Sequence, residues 1–172
     1  MNTPMTDTSQ IIDVNVETAI EAGDWAKALP DAAAIAERAI LATCVAVNGV
    51  PEGTEVSVLL TDDAHQQVLN LDWRGKDKPT NVLSFPGDGA EGLPQGAPVL
   101  LGDIAVAFET TNLEADEQQK SLAHHFCHLI VHGMLHLLGF DHKTQPQADE
   151  MEPLEIKVLE GLGIVSPYPD RK

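Results

Sequence analysis

The stretch from Leu122 to Leu138, LAHHFCHLIVHGMLHLL, constrains this chain more than any other. Its length and apolar content predict a buried central helix, yet it carries His125, His128, His132 and His136. At 3.6 residues per turn, positions four apart lie on one face, so His132 and His136 can direct two imidazoles at a single ion. Gly139 comes three residues later. A glycine there can take a left-handed conformation, end the helix and fold the chain back, which makes His142 a candidate third ligand.

The full spacing, H-x-x-x-H-x-x-G-x-x-H, reproduces the ligand spacing of the metzincin metalloproteases. Those proteases carry a general-base Glu after the first histidine, whereas Gly133 stands there in this chain. The pattern therefore supports a metal site and not peptide hydrolysis by that route. A lone histidine on such a helix is far more often a satisfied core residue; three with a terminating glycine reverse those odds. Zinc, nickel, cobalt and copper all accept imidazole ligands. His128 continues the stripe one turn earlier and reads as a structural residue or a support for a ligand. Asp141 either orients a ligand imidazole or caps the turn.

Around this segment the chain alternates between periods. Strands are expected at Ile11–Val16, Thr54–Thr61, Thr80–Phe85 and Val99–Phe108. Helices are expected from Asp31, placed as a cap, to Val47 with Asn48 and Gly49 as its stop; from Asp62 to near Gly75; from Thr111 with a break before Ser121; and from about Pro146 to Leu162. Four strands and four or five helices, not in strict alternation, predict an α+β fold: a mixed four-stranded sheet packed with helices, the histidine-bearing one central. Between Pro86 and Pro98, four glycines and three prolines fall in thirteen residues, which predicts a mobile surface loop. Residues 1–10 read as a disordered start to one domain spanning 1–172.

Charge bears on the partners. Of 172 residues, 27 are acidic and 10 are Lys or Arg, a formal net charge of −17. That balance argues against tight, sequence-independent binding to naked nucleic acid, although the position of the charges matters more than their sum. Three of the basic residues, Arg74, Lys76 and Lys78, nevertheless cluster in RGKDK. Arg74 offers a planar fork of donors suited to phosphate oxygens, and Pro79 keeps the segment extended. The bland alternative is a solvated turn whose charges pair with Asp72 and Asp77. No apolar run approaches the length of a membrane span, and MNTPMTDTSQ has no signal-peptide pattern, so a soluble cytoplasmic protein is expected. Cys44 and Cys127 form no CxxC pair and read as small buried hydrophobes.

Four blocks then stand together in one order: LNLDWRGKDKPTNVLSFP (Leu69 to Pro86), LLGDIAV (Leu100 to Val106), HLIVHGMLHLLGFDH (His128 to His142) and MEPLEIKVLEGLG (Met151 to Gly163). On these the chain resembles the YbeY family of bacterial endoribonucleases, also called rRNA maturation factors, from about Thr54 to Gly163. The resemblance implies a zinc-dependent, single-strand-specific endoribonuclease of rRNA processing, including maturation of the 16S 3′ end, and of ribosome quality control. It carries the family's zinc ligands onto His132, His136 and His142, and its functional arginine onto Arg74. Together with the residue chemistry, this makes Arg74 and His132 the catalytic candidates. Arg74, Lys76 and Lys78 become the candidates for contact with substrate phosphates. The partners implied are single-stranded RNA and the small ribosomal subunit, with a ribosomal protein or a ribosome-associated GTPase, and no membrane. Two other readings are a metalloprotease-like hydrolase with an unrecognised base and a metal-stabilised, non-catalytic ribosome assembly factor.

Overall fold

A computed structural model describes residues 13–48, 50, 52–87, 94 and 97–165. Residues 1–10, the expected strand start at Ile11, the helix stop at Gly49 and most of the Gly- and Pro-rich loop lie outside the described residues. The elements are β1 (Val14–Ile20), α1 (Trp25–Ala28), α2 (Ala32–Val47), β2 (Thr54–Thr61), α3 (Asp63–Arg74), β3 (Val82–Pro86), β4 (Val99–Ala107), α4 (Phe108–Glu117), α5 (Leu122–Leu137) and α6 (Gln145–Gly161). The sheet has the order β1-β2-β4-β3. β1, β2 and β4 run parallel, and β3 joins β4 antiparallel as an edge strand. This is the expected α+β architecture with a mixed four-stranded sheet.

Three local differences separate the observed elements from the expected ones. β1 continues past Val16 to Ile20, because its ladder with β2 runs on to Ile20 and Leu60 after the apolar alternation has ended. Phe108, expected to end a strand, instead begins α4. The short helix α1 has no period of its own to announce it, and tertiary packing makes it. Its Trp25 is 0 % exposed, donates its indole N–H to the Thr61 carbonyl at 2.9 Å and sits 5.2 Å from the rings of both Phe108 and Phe126.

The caps divide likewise. Asp31 precedes α2 but makes no side-chain capping bond, whereas Asp62 and Ser121 accept the backbone N–H of His65 and His124. Helix α5 lies against β3 and β4 in the main core. A Cβ on Gly133 would come within 3.0 Å of Ile104 Cγ2 and 3.1 Å of Ser84 Oγ, and Ser84 Oγ donates to the Gly133 carbonyl at 2.9 Å. The glycine thus lets the helix backbone approach the sheet closely at this point.

Cys44 and Cys127 are both buried, and burial pushes each thiol up to about 11. Iodoacetamide at pH 8 is therefore expected to label neither cysteine in the folded protein and both after denaturation. Fast labelling of the native chain, read by mass spectrometry, would contradict the packing described for α2 and α5.

Candidate metal centre

Helix α5 turns Phe126, Ile130, Met134 and Leu135 into the core and leaves His128, His132 and His136 half-buried along one stripe. Its end is a Schellman turn: the Gly139 N–H donates to the His136 carbonyl and the Phe140 N–H to the Leu135 carbonyl, each at 3.0 Å. Gly139 holds φ +99°, a conformation that strains any residue with a Cβ. Asp141 Oδ1 then accepts the His142 N–H at 2.8 Å, and this bond holds its carboxyl below the usual range. Of the two roles open to Asp141, the turn cap is the one with a contact.

The turn returns His142 to the helix. Ring centroids stand 4.6 Å apart for His132 and His136, 5.1 Å for His132 and His142, and 5.2 Å for His136 and His142. One nitrogen from each ring lies within 4.8 Å of the others.

A fourth residue sets the electrostatics. Glu155 of α6 is 0 % exposed, with Oε1 3.2 Å from His132 Nδ1 and Oε2 3.0 Å from His128 Nε2. Burial alone would push its carboxyl up, but the hydrogen bonds from His128 and His132 outweigh that and hold it down to about 2. An ionised carboxylate only accepts, so His132 carries a hydrogen on Nδ1, which leaves Nε2 as the ring nitrogen available to an ion. That Nε2 faces His136 Nε2 at 3.0 Å. Burial first, then the neighbouring His132 and His142, push His136 down to about 4, so it is neutral near pH 7.

These residues fit a borderline divalent ion. Two ligands at about 2.0–2.1 Å from a tetrahedral ion stand roughly 3.3–3.4 Å apart, close to the 3.0 Å found here. Three neutral imidazoles fill three positions of such an ion and leave one for water or substrate. His128, His132 and Glu155 form a second group within 4.8 Å, and their contacts are the hydrogen bonds that orient His132.

A cavity of about 730 Å³ opens beside the histidines. The edge strand β3 forms one wall through Val82, Leu83 and Ser84, and among the described residues the cations on its surface are Arg74 and Lys143. Arg74 sits in the last turn of α3, which Gly75 closes at φ +68° with its N–H on the Leu71 carbonyl. Lys76 and Lys78 follow outside the cavity wall. Their loop is tied to α3 by Asn70 Nδ2 donating to the Lys78 carbonyl at 2.8 Å and Gln67 Nε2 donating to Asp77 Oδ1 at 2.9 Å. Among the described residues no ion pair within 4 Å joins Arg74, Lys76 or Lys78 to Asp72 or Asp77. Lys143, which sequence reasoning passes over, makes only a loose 3.9 Å pair with Asp141.

A family model described as Endoribonuclease YbeY matches residues 20–163. The chain belongs to the YbeY family. It is 50 % identical over 159 residues to the Endoribonuclease YbeY of Bradyrhizobium sp., covering 91 % of this chain and 93 % of that protein. To the Endoribonuclease YbeY of Azorhizobium caulinodans it is 52 % identical over 157 residues, covering 90 % and 96 %. The solution structure of TM1509 from Thermotoga maritima shares the fold at a TM-score of 0.50 and 21 % identity, over 87 % of this chain and 91 % of that one.

Within this YbeY chain Glu155 is the site residue that motif reading misses. A signal for it does exist: Met151, Glu155, Val158 and Leu159 follow the i, i+4, i+7, i+8 stripe of a buried helix face, and a carboxylate on such a stripe needs partners. Glu155→Gln keeps the shape but loses the charge that fixes His132. Metal affinity, measured by competition with a chromogenic chelator, is expected to fall about 10- to 100-fold with the circular dichroism unchanged. An unaltered affinity would remove Glu155 from the centre.

Proposed function

We propose that this chain is a zinc-dependent endoribonuclease that cuts single-stranded RNA during rRNA processing in the cytoplasm, including maturation of the 16S 3′ end. His132, His136 and His142 are its metal ligands, and Arg74 is its main phosphate contact. The observation that carries this reading is that the three converging imidazoles and the Arg74 guanidinium open onto the same cavity. When bound, a divalent ion supplies Lewis acidity, polarising a phosphoryl oxygen and lowering the pKa of water. Nickel, cobalt and copper suit the same donors, and zinc is the choice of the family.

The chain's own residues do the rest. Glu155 and the turn at Gly139 hold the three rings in place before substrate arrives, so little reorganisation accompanies the reaction. Arg74 grips non-bridging phosphate oxygens with two parallel N–H donors and stabilises the charge that grows on them. Lys143, exposed and lining the same cavity, adds a second positive charge. Lys76 and Lys78 act at longer range, drawing phosphate toward one spot on an acidic surface. The small ribosomal subunit is the destination, and the acidic exterior pairs with a basic ribosomal protein.

Peptide hydrolysis is the weaker reading. The space where a protease's Glu would begin is taken by Ile104 and Ser84, and the chain answers with Gly133. For Arg74→Ala, metal content is expected to stay intact while kcat/KM for a single-stranded RNA drops about 100- to 1000-fold, with partial recovery in Arg74→Lys. An unchanged cleavage rate would take Arg74 out of the site.

A further inference from the structure

Trp73, the residue before Arg74, is 67 % exposed. A core role is thereby excluded for it; the chain's other tryptophan, Trp25, is 0 % exposed and fills that role. The exposed ring is nonetheless held, resting on Phe85 at a centroid distance of 5.1 Å with the planes tilted by 55°. Phe85 lies on β3 between Ser84 and Pro86, both of which line the cavity. Ser84 Oγ faces α5, so strand alternation sets Phe85 on the other face of β3, and the braced pair is tied to the cavity through Trp73, whose chain neighbour Arg74 lines it.

We infer that Trp73, backed by Phe85, is a stacking platform for one unpaired nucleobase of the RNA whose neighbouring phosphate Arg74 holds. This rests on the nuclease reading and names a substrate subsite for it. An aromatic face accepts any of the four bases, so the platform binds without reading sequence. Only an unpaired base can leave its neighbours to lie on such a face, so the platform favours single strands over duplexes. Stacking is also the contribution this surface most needs. At a net charge of −17, release of counterions from RNA supplies little affinity, and apolar base contacts do not depend on salt in that way.

The test uses the whole chain as purified, mixed in a stopped-flow instrument before turnover. The probes are a short oligouridylate and a strand of the same length with abasic riboses. Because Trp25 is buried, quenching of tryptophan fluorescence by a stacked base reports Trp73. The oligouridylate is expected to quench and the abasic strand is not. Trp73→Ala should bind oligouridylate about 5- to 150-fold more weakly, leave abasic binding unchanged, and abolish the quench, while Trp73→Phe keeps affinity within a few-fold. Equal affinity of wild type and Trp73→Ala for oligouridylate, with RNA still cleaved, would overturn the platform alone and leave the exposed Val68, Leu71 and Trp73 of α3 as a surface for a protein partner. If the wild type bound neither strand and cleaved no RNA, the nuclease reading would fall and take the platform with it.

Discussion

A single buried carboxylate ties the functional end of this molecule together. Glu155 comes from the last helix and meets His128 and His132 of the central one, so a charge with no access to water is satisfied by two imidazole donors. Removing either donor would leave that buried charge less fully compensated, a larger penalty than the loss of a surface pair. The same contact fixes the tautomer of His132. Packing of α6 on α5 and presentation of a lone pair to the cavity are thus one event.

The connection between these two helices is as tightly defined as the contact across them. A Schellman turn at Gly139 closes α5, and a capping box, in which Thr144 and Gln147 exchange bonds between side chain and backbone, opens α6. His142 lies in the short span between two fixed ends, with its own N–H held by Asp141. An exposed histidine on a connection would ordinarily sample many positions, and here little freedom is left to lose when a third donor is required.

The sequence makes the histidine spacing, the terminating glycine and the mixed sheet legible because each is a local pattern: a period, a turn residue, an alternation. Trp25 and its short helix are not local; the helix exists because Thr61, Phe108 and Phe126 enclose the indole. Glu155 belongs to the same class, since its partners lie on another helix and only the apolar stripe around it hints at burial. Lys143 escapes notice because nothing in its neighbourhood distinguishes a cavity-lining lysine from a solvated one, and the positions of Lys76 and Lys78 off the cavity wall depend on how Asn70 and Gln67 hold their loop. Gly133 is the opposite case. The sequence shows that a protease's base is missing, and the packing against Ile104 and Ser84 gives the reason.

In the proposed centre three rings share one ion with a coordination position left over. X-ray absorption spectroscopy at the edge of the metal that co-purifies with the chain measures this directly. The expected spectrum fits one ion per chain with three imidazole nitrogens at about 2.0–2.1 Å and one light, exchangeable oxygen ligand. A sphere filled by four protein ligands, a sulfur neighbour, or no stoichiometric metal at all would contradict it.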